Sequence, residues 1–233
     1  MCILRVKNYD KGMQNQEFLI QHWGSDVDFQ KAWQKQREIH SLIVEQNHKN
    51  VVALLEHQSV YTAGRSTKPE DRPFDSSPVI DIDRGGRITW HGKGQIVCYP
   101  IMKLDDPVDV VAHVRRIELL IINVCRKLGL ETFQIDGRSG VWVKGNPDKK
   151  IAAIGIRVAK KATMHGFALN CNNSLDPFRK IVPCGIGDAD VTTLSLELGR
   201  DVTVEEVVPL IEQEVNEGAL AIKISKRSKV EVS

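Results

Sequence analysis

Between residues 87 and 169 the chain runs repeatedly through β-forming residues for strand length and then stops at glycine. One long helical pattern breaks that series. Strand-length segments fall at 87–90, 95–101, 140–143, 151–158 and 164–169, as period and turn residues dictate. Between the second and third, Val110, Val114, Ile117, Ile121, Val124 and Leu128 step by four, three, four, three and four residues. That spacing lays one apolar stripe along a helix. Asp106 is the expected N-cap, Pro107 the first helical residue and Gly129 the stop. Strands clustered in mid-chain, with helices standing apart, point to the α+β class and away from a regularly alternating doubly wound sheet.

The flanks extend this pattern. Residues 17–23 read as a short strand, after which Ser25 or Asp26 is placed to cap a helix with apolar Phe29, Ala32, Trp33, Ile39, Ile43 and Val44. Residues 51–55 form a continuous apolar run, expected to be a buried strand. Residues 64–78, rich in Gly, Pro, Ser, Thr and charge, predict a long mobile loop of the kind that often serves function. Thr203 and Glu206 have the spacing of a capping box before a last helix through Val207, Leu210 and Ile211. No internal repeat or sharp change of composition splits the chain, so a single domain over 1–222 and a polar tail over 223–233 are expected.

A formal net charge of +2 argues against a broad basic surface for nucleic acid. The five cysteines are scattered, and without a Cys-x-x-Cys pair they indicate neither a zinc ribbon nor a redox dithiol. No apolar run suits a signal peptide or a membrane span, which makes the cytoplasm the expected compartment and a membrane an unexpected partner.

Four stretches can carry chemistry. In the run 84–95, Arg-Gly-Gly-Arg-Ile-Thr-Trp-His-Gly-Lys-Gly-Gln, paired glycines permit close backbone approach to a ligand, and Arg84, Arg87, Thr89 and His91 supply polar heads. The same glycines also suit a plain hairpin turn. Lys150 heads an apolar strand, either as a solvated strand end or as an ammonium facing a pocket that Ala152, Ala153 and Gly155 leave room for. Gly166, within His165-Gly166-Phe167-Ala168-Leu169-Asn170-Cys171, marks a bulge or a close backbone approach; His165 suits a structural hydrogen bond and Cys171 a packed position. Cys184 lies between Pro183 and Gly185, residue types that present a side chain on a turn. A thiol attacks as its thiolate, which a nearby cation favours, and the amides of Gly185 and Ile186 could hold an oxyanion. Asp190 or Thr192 is positioned to cap a short helix ending near Gly199.

Taken together, these stretches and the run Gly137-Arg138-Ser139-Gly140-Val141-Trp142 resemble the octanoyltransferase family of lipoate biosynthesis, also called lipoate-protein ligase B. The resemblance runs from about Val51 to Gly199, with Lys93 standing where the family commonly has proline. It implies a mixed, mostly antiparallel sheet flanked by helices, like that of biotin and lipoate protein ligases. It also implies transfer of an octanoyl group from acyl carrier protein to a lysine of the lipoyl domains of 2-oxoacid dehydrogenases or of the glycine-cleavage H protein. Cys184 then corresponds to the acyl-carrying thiol, and Lys150 to the lysine that lowers its pKa or moves protons. The family's substrate-contacting segments fall on Arg84, Gly85, Gly86, Arg87, Ile88, Thr89, Trp90 and His91, on Ala153, Ile154 and Gly155, and on Gly166, Phe167 and Ala168. Thioester exchange followed by aminolysis needs no nucleotide, cofactor or metal. The alternative on the same fold is an ATP-dependent lipoate-protein ligase, which would not need Cys184. A non-catalytic binding module and a cysteine hydrolase using His91 or His165 are further rivals.

Overall fold

The computed structural model of the chain describes residues 18–181 and 190–221. Cys184, Gly185, Ile186 and the polar tail lie outside the described residues. Strand β1 (Phe18–Val27) leads into helix α1 (Phe29–Gln46), and the chain returns as β2 (Asn50–His57), parallel to β1. A parallel neighbour requires such a crossover. β1 continues pairing as far as Val27, so α1 starts later than Ser25 or Asp26 would place it. Asp28 caps it instead, its carboxylate accepting the Lys31 N–H at 2.9 Å.

Three short strands, β3 (Val60–Ala63), β4 (Val79–Asp81) and β5 (Thr89–His91), form a small separate sheet in the order β4-β3-β5. Next come β6 (Gln95–Ile101) and helix α2 (Val110–Lys127). Asp109, not Asp106, caps α2 by accepting the Ala112 N–H at 2.9 Å. The helix therefore begins three residues later than expected, and Val110 is exposed. The rest of the stripe holds: Ile117, Ile121 and Val124 are fully buried, and Val114 and Leu128 pack against the same core.

The chain continues through β7 (Phe133–Ile135), β8 (Arg138–Val143), β9 (Lys149–Ala159), β10 (Ala162–Asn170) and β11 (Asp190–Val191), then helices α3 (Leu194–Leu198) and α4 (Val204–Asn216). Thr193, not Asp190 or Thr192, caps α3 by accepting the Leu196 N–H at 3.2 Å; Asp190 lies in β11, and the Thr192 hydroxyl donates to Glu197 Oε1 at 2.5 Å. Thr203 is the N-cap residue of α4, but the expected capping box does not form. The Glu206 carboxylate is taken by Arg200 at 2.6 Å.

The main sheet runs β1-β2-β6-β10-β9-β8-β7, with β11 on β9. Pairing is parallel at β1–β2 and β11–β9 and antiparallel at the other junctions. This is the mixed, mostly antiparallel α+β sheet that was expected. One face packs on α2 and α4 through Val52, Leu54, Ile96 and Leu169. The other meets α1 through Val51, Ala53, Leu55, Val97 and Ala168. Burial on both faces explains why β2 reads as an unbroken apolar run. A third, smaller core joins the small sheet, through Tyr61, Ile88 and Trp90, to Phe178 and Ile181.

Candidate active site

A cavity of about 240 Å³ opens on the α1 face of the main sheet. Its floor is laid by β6, β9 and β10, where Val97, Ala153, Gly155, Gly166 and Ala168 keep side chains short. Phe29 at the start of α1, the glycine-rich run and residues 137–139 surround that floor. Gly155 and Gly166 pair across β9 and β10. A Cβ on Gly155 would lie 2.8 Å from Arg84 Cδ, and one on Gly166 only 2.1 Å from the Cys98 carbonyl oxygen. The β10 register with β9 has no shift at Gly166. Of the two readings of this glycine, the geometry is therefore close approach and not a bulge.

Most of the expected residues come together here. Lys150, Arg84, Gly86, Arg87, Thr89 and His91 line the cavity, as do Ala153, Ile154 and Gly155 from β9 and Gly166, Phe167 and Ala168 from β10. Three are placed elsewhere. Ile88 and Trp90 pack into the small core, and the Trp90 indole donates to Ser59 Oγ. Gly85 does not line the cavity; its N–H ties the loop to β9 by donating to the Ile156 carbonyl at 2.9 Å.

The two loop arginines act as braces. Arg84 is buried, with Nη1 donating to the carbonyls of Gly85 and Arg87 and Nη2 to the carbonyl and hydroxyl oxygens of Thr62. Arg87 Nε donates to Asp71 Oδ2 at 2.7 Å. Asp71 is fully buried in the long 64–78 loop and also accepts the Lys68 N–H. That loop is thus pinned to the site by a buried ion pair, a link its polar composition did not indicate.

Lys150 reaches the cavity through a β-bulge. Val141 pairs with Ala152, but the next residue, Trp142, pairs with Lys150, leaving Ile151 as one extra residue on β9. Regular alternation would put Lys150 on the same face as Ala152, in the core under α2; the extra residue turns it to the opposite face, with Ala153. There Nζ sits 4.6 Å from the Trp142 ring centroid, and the residue is 7% exposed. Among the described residues it has no carboxylate partner. β11 lies against the same residue: Val191 pairs with Lys150, and the Thr192 N–H donates to the Lys150 carbonyl at 3.0 Å. A smaller cavity, lined by Thr89, Lys150, Ala153, Phe178 and Val191 among others, continues from the main one toward the two chain ends that flank residues 182–189.

The aromatic end of the cavity was not legible as a site. In the sequence Phe29 is only an apolar helix position and Val97 and Tyr99 only part of the strand-length run 95–101, and Ile82, Arg138, Ser139 and His165 carry no substrate assignment, although all of them line the cavity. Only the Gly137–Trp142 run among the family-like motifs pointed toward Arg138 and Ser139. His165 adopts φ +60, its N–H donating to Gln36 Oε1 and its Nε2 lying 2.9 Å from Asp83. His57 Nδ1 is 2.9 Å from the Val27 carbonyl and Nε2 is 2.7 Å from the Tyr99 hydroxyl.

Burial lowers the pKa of His57 to about 4 and of His113 to about 4; burial, then the neighbouring His57, lowers His91 to about 3. In the unfolded chain these imidazoles take up protons near pH 6.5, which the folded protein refuses until pH 3–4. Stability is therefore fully present above pH 6.5 and falls as the pH drops, each histidine contributing at most about 1.4 kcal/mol per pH unit. The urea midpoint is expected to fall steadily between pH 7 and pH 5. An unchanged midpoint would mean that the folded state binds these protons after all.

Cys98, Cys125 and Cys171 are buried, and burial raises their thiol pKa values, that of Cys125 to about 12. None of the three presents a thiolate. Among the described residues no cluster of three or more His, Cys, Asp or Glu is placed to hold a metal, and no helix is long and apolar enough to cross a membrane.

Residues 28–216 match the family model of the lipoyl protein ligase A/B catalytic domain. The chain is 56% identical over 190 residues to an octanoyltransferase of Salinispora arenicola, covering 80% of this chain and 89% of the relative. To an octanoyltransferase of Acidothermus cellulolyticus it is 55% identical over 203 residues, covering 86% and 92%. In fold it resembles a bi-partite lipoate protein ligase from Thermoplasma acidophilum, with a TM-score of 0.68 at 16% identity over 93% of this chain and 88% of that one.

Proposed function

The chain belongs to the octanoyltransferases of the lipoyl protein ligase A/B catalytic family, and from that premise we propose that Cys184 carries the octanoyl group as a thioester while Lys150 moves the protons. It is an acyltransferase that moves octanoyl groups in protein lipoylation. The donor in this reading is octanoyl-acyl carrier protein. The acceptors are lysines of the lipoyl domains of 2-oxoacid dehydrogenases and of the glycine-cleavage H protein. Residues 1–222 act as one catalytic domain, at work in the cytoplasm.

One observation carries the proposal. Lys150 is turned into the cavity without a carboxylate partner among the described residues, and its backbone receives β11, the strand that follows the Cys184 segment. On the other side, Ile181 packs in the small core three residues before Cys184, a tether of at most about 11 Å. An ammonium near a thiol favours the thiolate. The thiolate attacks the donor carbonyl, the C–S bond to the carrier breaks, and the carrier thiolate takes a proton from Lys150. Lys150, now neutral, takes a proton from the acceptor lysine as its amine attacks the acyl-enzyme. A C–N bond forms, the C–S bond to Cys184 breaks, and the departing thiolate is restored beside the ammonium.

The cavity suits the acyl chain. A void of about 150 Å³ accommodates the six carbons of benzene, so eight carbons require about 200 Å³, within the 240 Å³ present. Burying the chain at about 0.8 kcal/mol per methylene anchors it by roughly 5 kcal/mol. Both loop arginines are already bonded to protein groups, an arrangement that favours an uncharged acyl chain there over the phosphate of an acyl-adenylate.

Intact-mass analysis after mixing the protein with octanoyl-carrier protein without ATP is expected to reveal one octanoyl adduct. Hydroxylamine or a lipoyl domain should remove it, and Cys184→Ser should destroy its lability to hydroxylamine or prevent it altogether. Activity that needs ATP and survives Cys184→Ala would instead identify a ligase.

A further inference from the structure

A buried hydrogen-bond chain connects the glycine-rich loop to Lys150, and its direction is fixed from the far end. The Thr192 carbonyl can only accept, so Asn170 Nδ2 donates to it at 2.9 Å and turns Asn170 Oδ1 the other way. That oxygen accepts Gln95 Nε2 at 2.8 Å, and the same Nε2 donates to the Trp90 carbonyl at 3.3 Å. Gln95 Oε1 is thereby directed at His91 Nδ1, 2.8 Å away. An oxygen that can only accept requires the hydrogen to be on Nδ1. The His91 ring is buried and neutral, and it stacks within 5° of parallel on Phe29 at 6.4 Å between centroids. Its remaining nitrogen, Nε2, therefore bears a lone pair, on a side chain that lines the cavity. At the other end of the chain, the Thr192 N–H donates to the Lys150 carbonyl.

We propose that Gln95 and Asn170 are positioning residues that hold His91 in its Nδ1–H tautomer, so that Nε2 accepts an N–H of the acceptor lysine's amine as it attacks the thioester. This rests on the acyl-enzyme reading above. The bond to Nε2 orients the amine's lone pair toward the carbonyl carbon, and no proton passes to His91. The C–N bond forms, the C–S bond breaks, and the amine's surplus proton goes to Lys150. The first half-reaction has a thiolate as nucleophile, with no N–H to orient, so it does not need this acceptor.

The test separates the two half-reactions. Gln95→Met removes the acceptor at similar length. It is expected to slow aminolysis of the acyl-enzyme by about 10- to 100-fold, with the burst of carrier thiol release unchanged within about twofold. Gln95→Glu keeps an oxygen for Nδ1–H and is expected to restore part of the aminolysis rate. Equal slowing of both half-reactions by Gln95→Met would overturn the proposal and make the amides merely structural. Nitrogen-15 NMR of histidine-labelled wild-type protein needs no variant: His91 is expected as the Nδ1–H tautomer, with the Nε2 resonance moving upfield when a lysine-bearing acceptor peptide is added. An Nε2–H tautomer, or an unmoved resonance, would also overturn it. These spectra are taken on unacylated protein, so a missing Cys184 adduct would overturn the acyl-enzyme reading while they still decide the His91 tautomer and its contact with the acceptor amine.

Discussion

Lys150→Met is expected to cut octanoyl transfer by about 10²- to 10⁴-fold, the range for loss of a positioned proton-transfer group, while leaving the protein at least as stable. The two halves of this result come from the same geometry. The ammonium is nearly buried against the Trp142 ring and has no carboxylate partner among the described residues, so replacing it breaks no ion pair and strands no buried carboxylate among them. Methionine has similar length and makes favourable sulfur contacts with an aromatic face. The melting temperature is therefore expected to stay level or rise as activity falls, the signature of a residue kept for chemistry. Alkylation of Cys184 should also move to higher pH in the variant. An unchanged alkylation profile would remove Lys150 as the thiol's activator, and a large drop in melting temperature would make it a structural residue.

Gly166→Ala is expected to lower stability by about 3 kcal/mol or more, the upper end for overpacking a filled interior. The added Cβ would meet the Cys98 carbonyl oxygen at 2.1 Å and Pro100 Cδ at 2.6 Å. Neither is the end of a flexible side chain, so relief requires β6 to move relative to β10. That ladder carries the centre of the main sheet. At about 2–4 °C per kcal/mol for a chain of this size, a thermal melt should show a fall of roughly 6–12 °C. A melt within a degree or two of the wild type, on the other hand, would mean that the two strands can separate at no cost.

Long-period features were legible in the sequence. The stripe on α2 and the apolar run of β2 each follow from burial spread over many residues, so local exceptions do not erase them. Caps were less secure, because Asp106 and Asp109 are equally good acceptors and only tertiary packing chooses between them. The parallel β1–β2 pair and the small sheet β4-β3-β5 went unread, since strands of three or four residues carry too little pattern and partner choice is non-local. In the site, the small residues announced a cavity and the family-like motifs located its rim. The aromatic wall of Phe29 and Tyr99 could not be seen, because a residue lining a cavity and one filling a core look alike until the space between them is known. The roles of Arg84 and Arg87 were equally hidden: a guanidinium suits an anionic ligand and a set of backbone carbonyls about equally well.

The extra residue at Ile151 makes the site depend on how many residues precede Ala152, as well as on which ones they are. Deleting Ile151 would remove a buried aliphatic group and also exchange the two faces of the start of β9, sending the ammonium toward α2 and detaching β11 from its register on Lys149 and Lys150. A one-residue gap here is thus equivalent to several simultaneous substitutions. Among relatives of this chain, strand length at this point should therefore vary less than side-chain identity does.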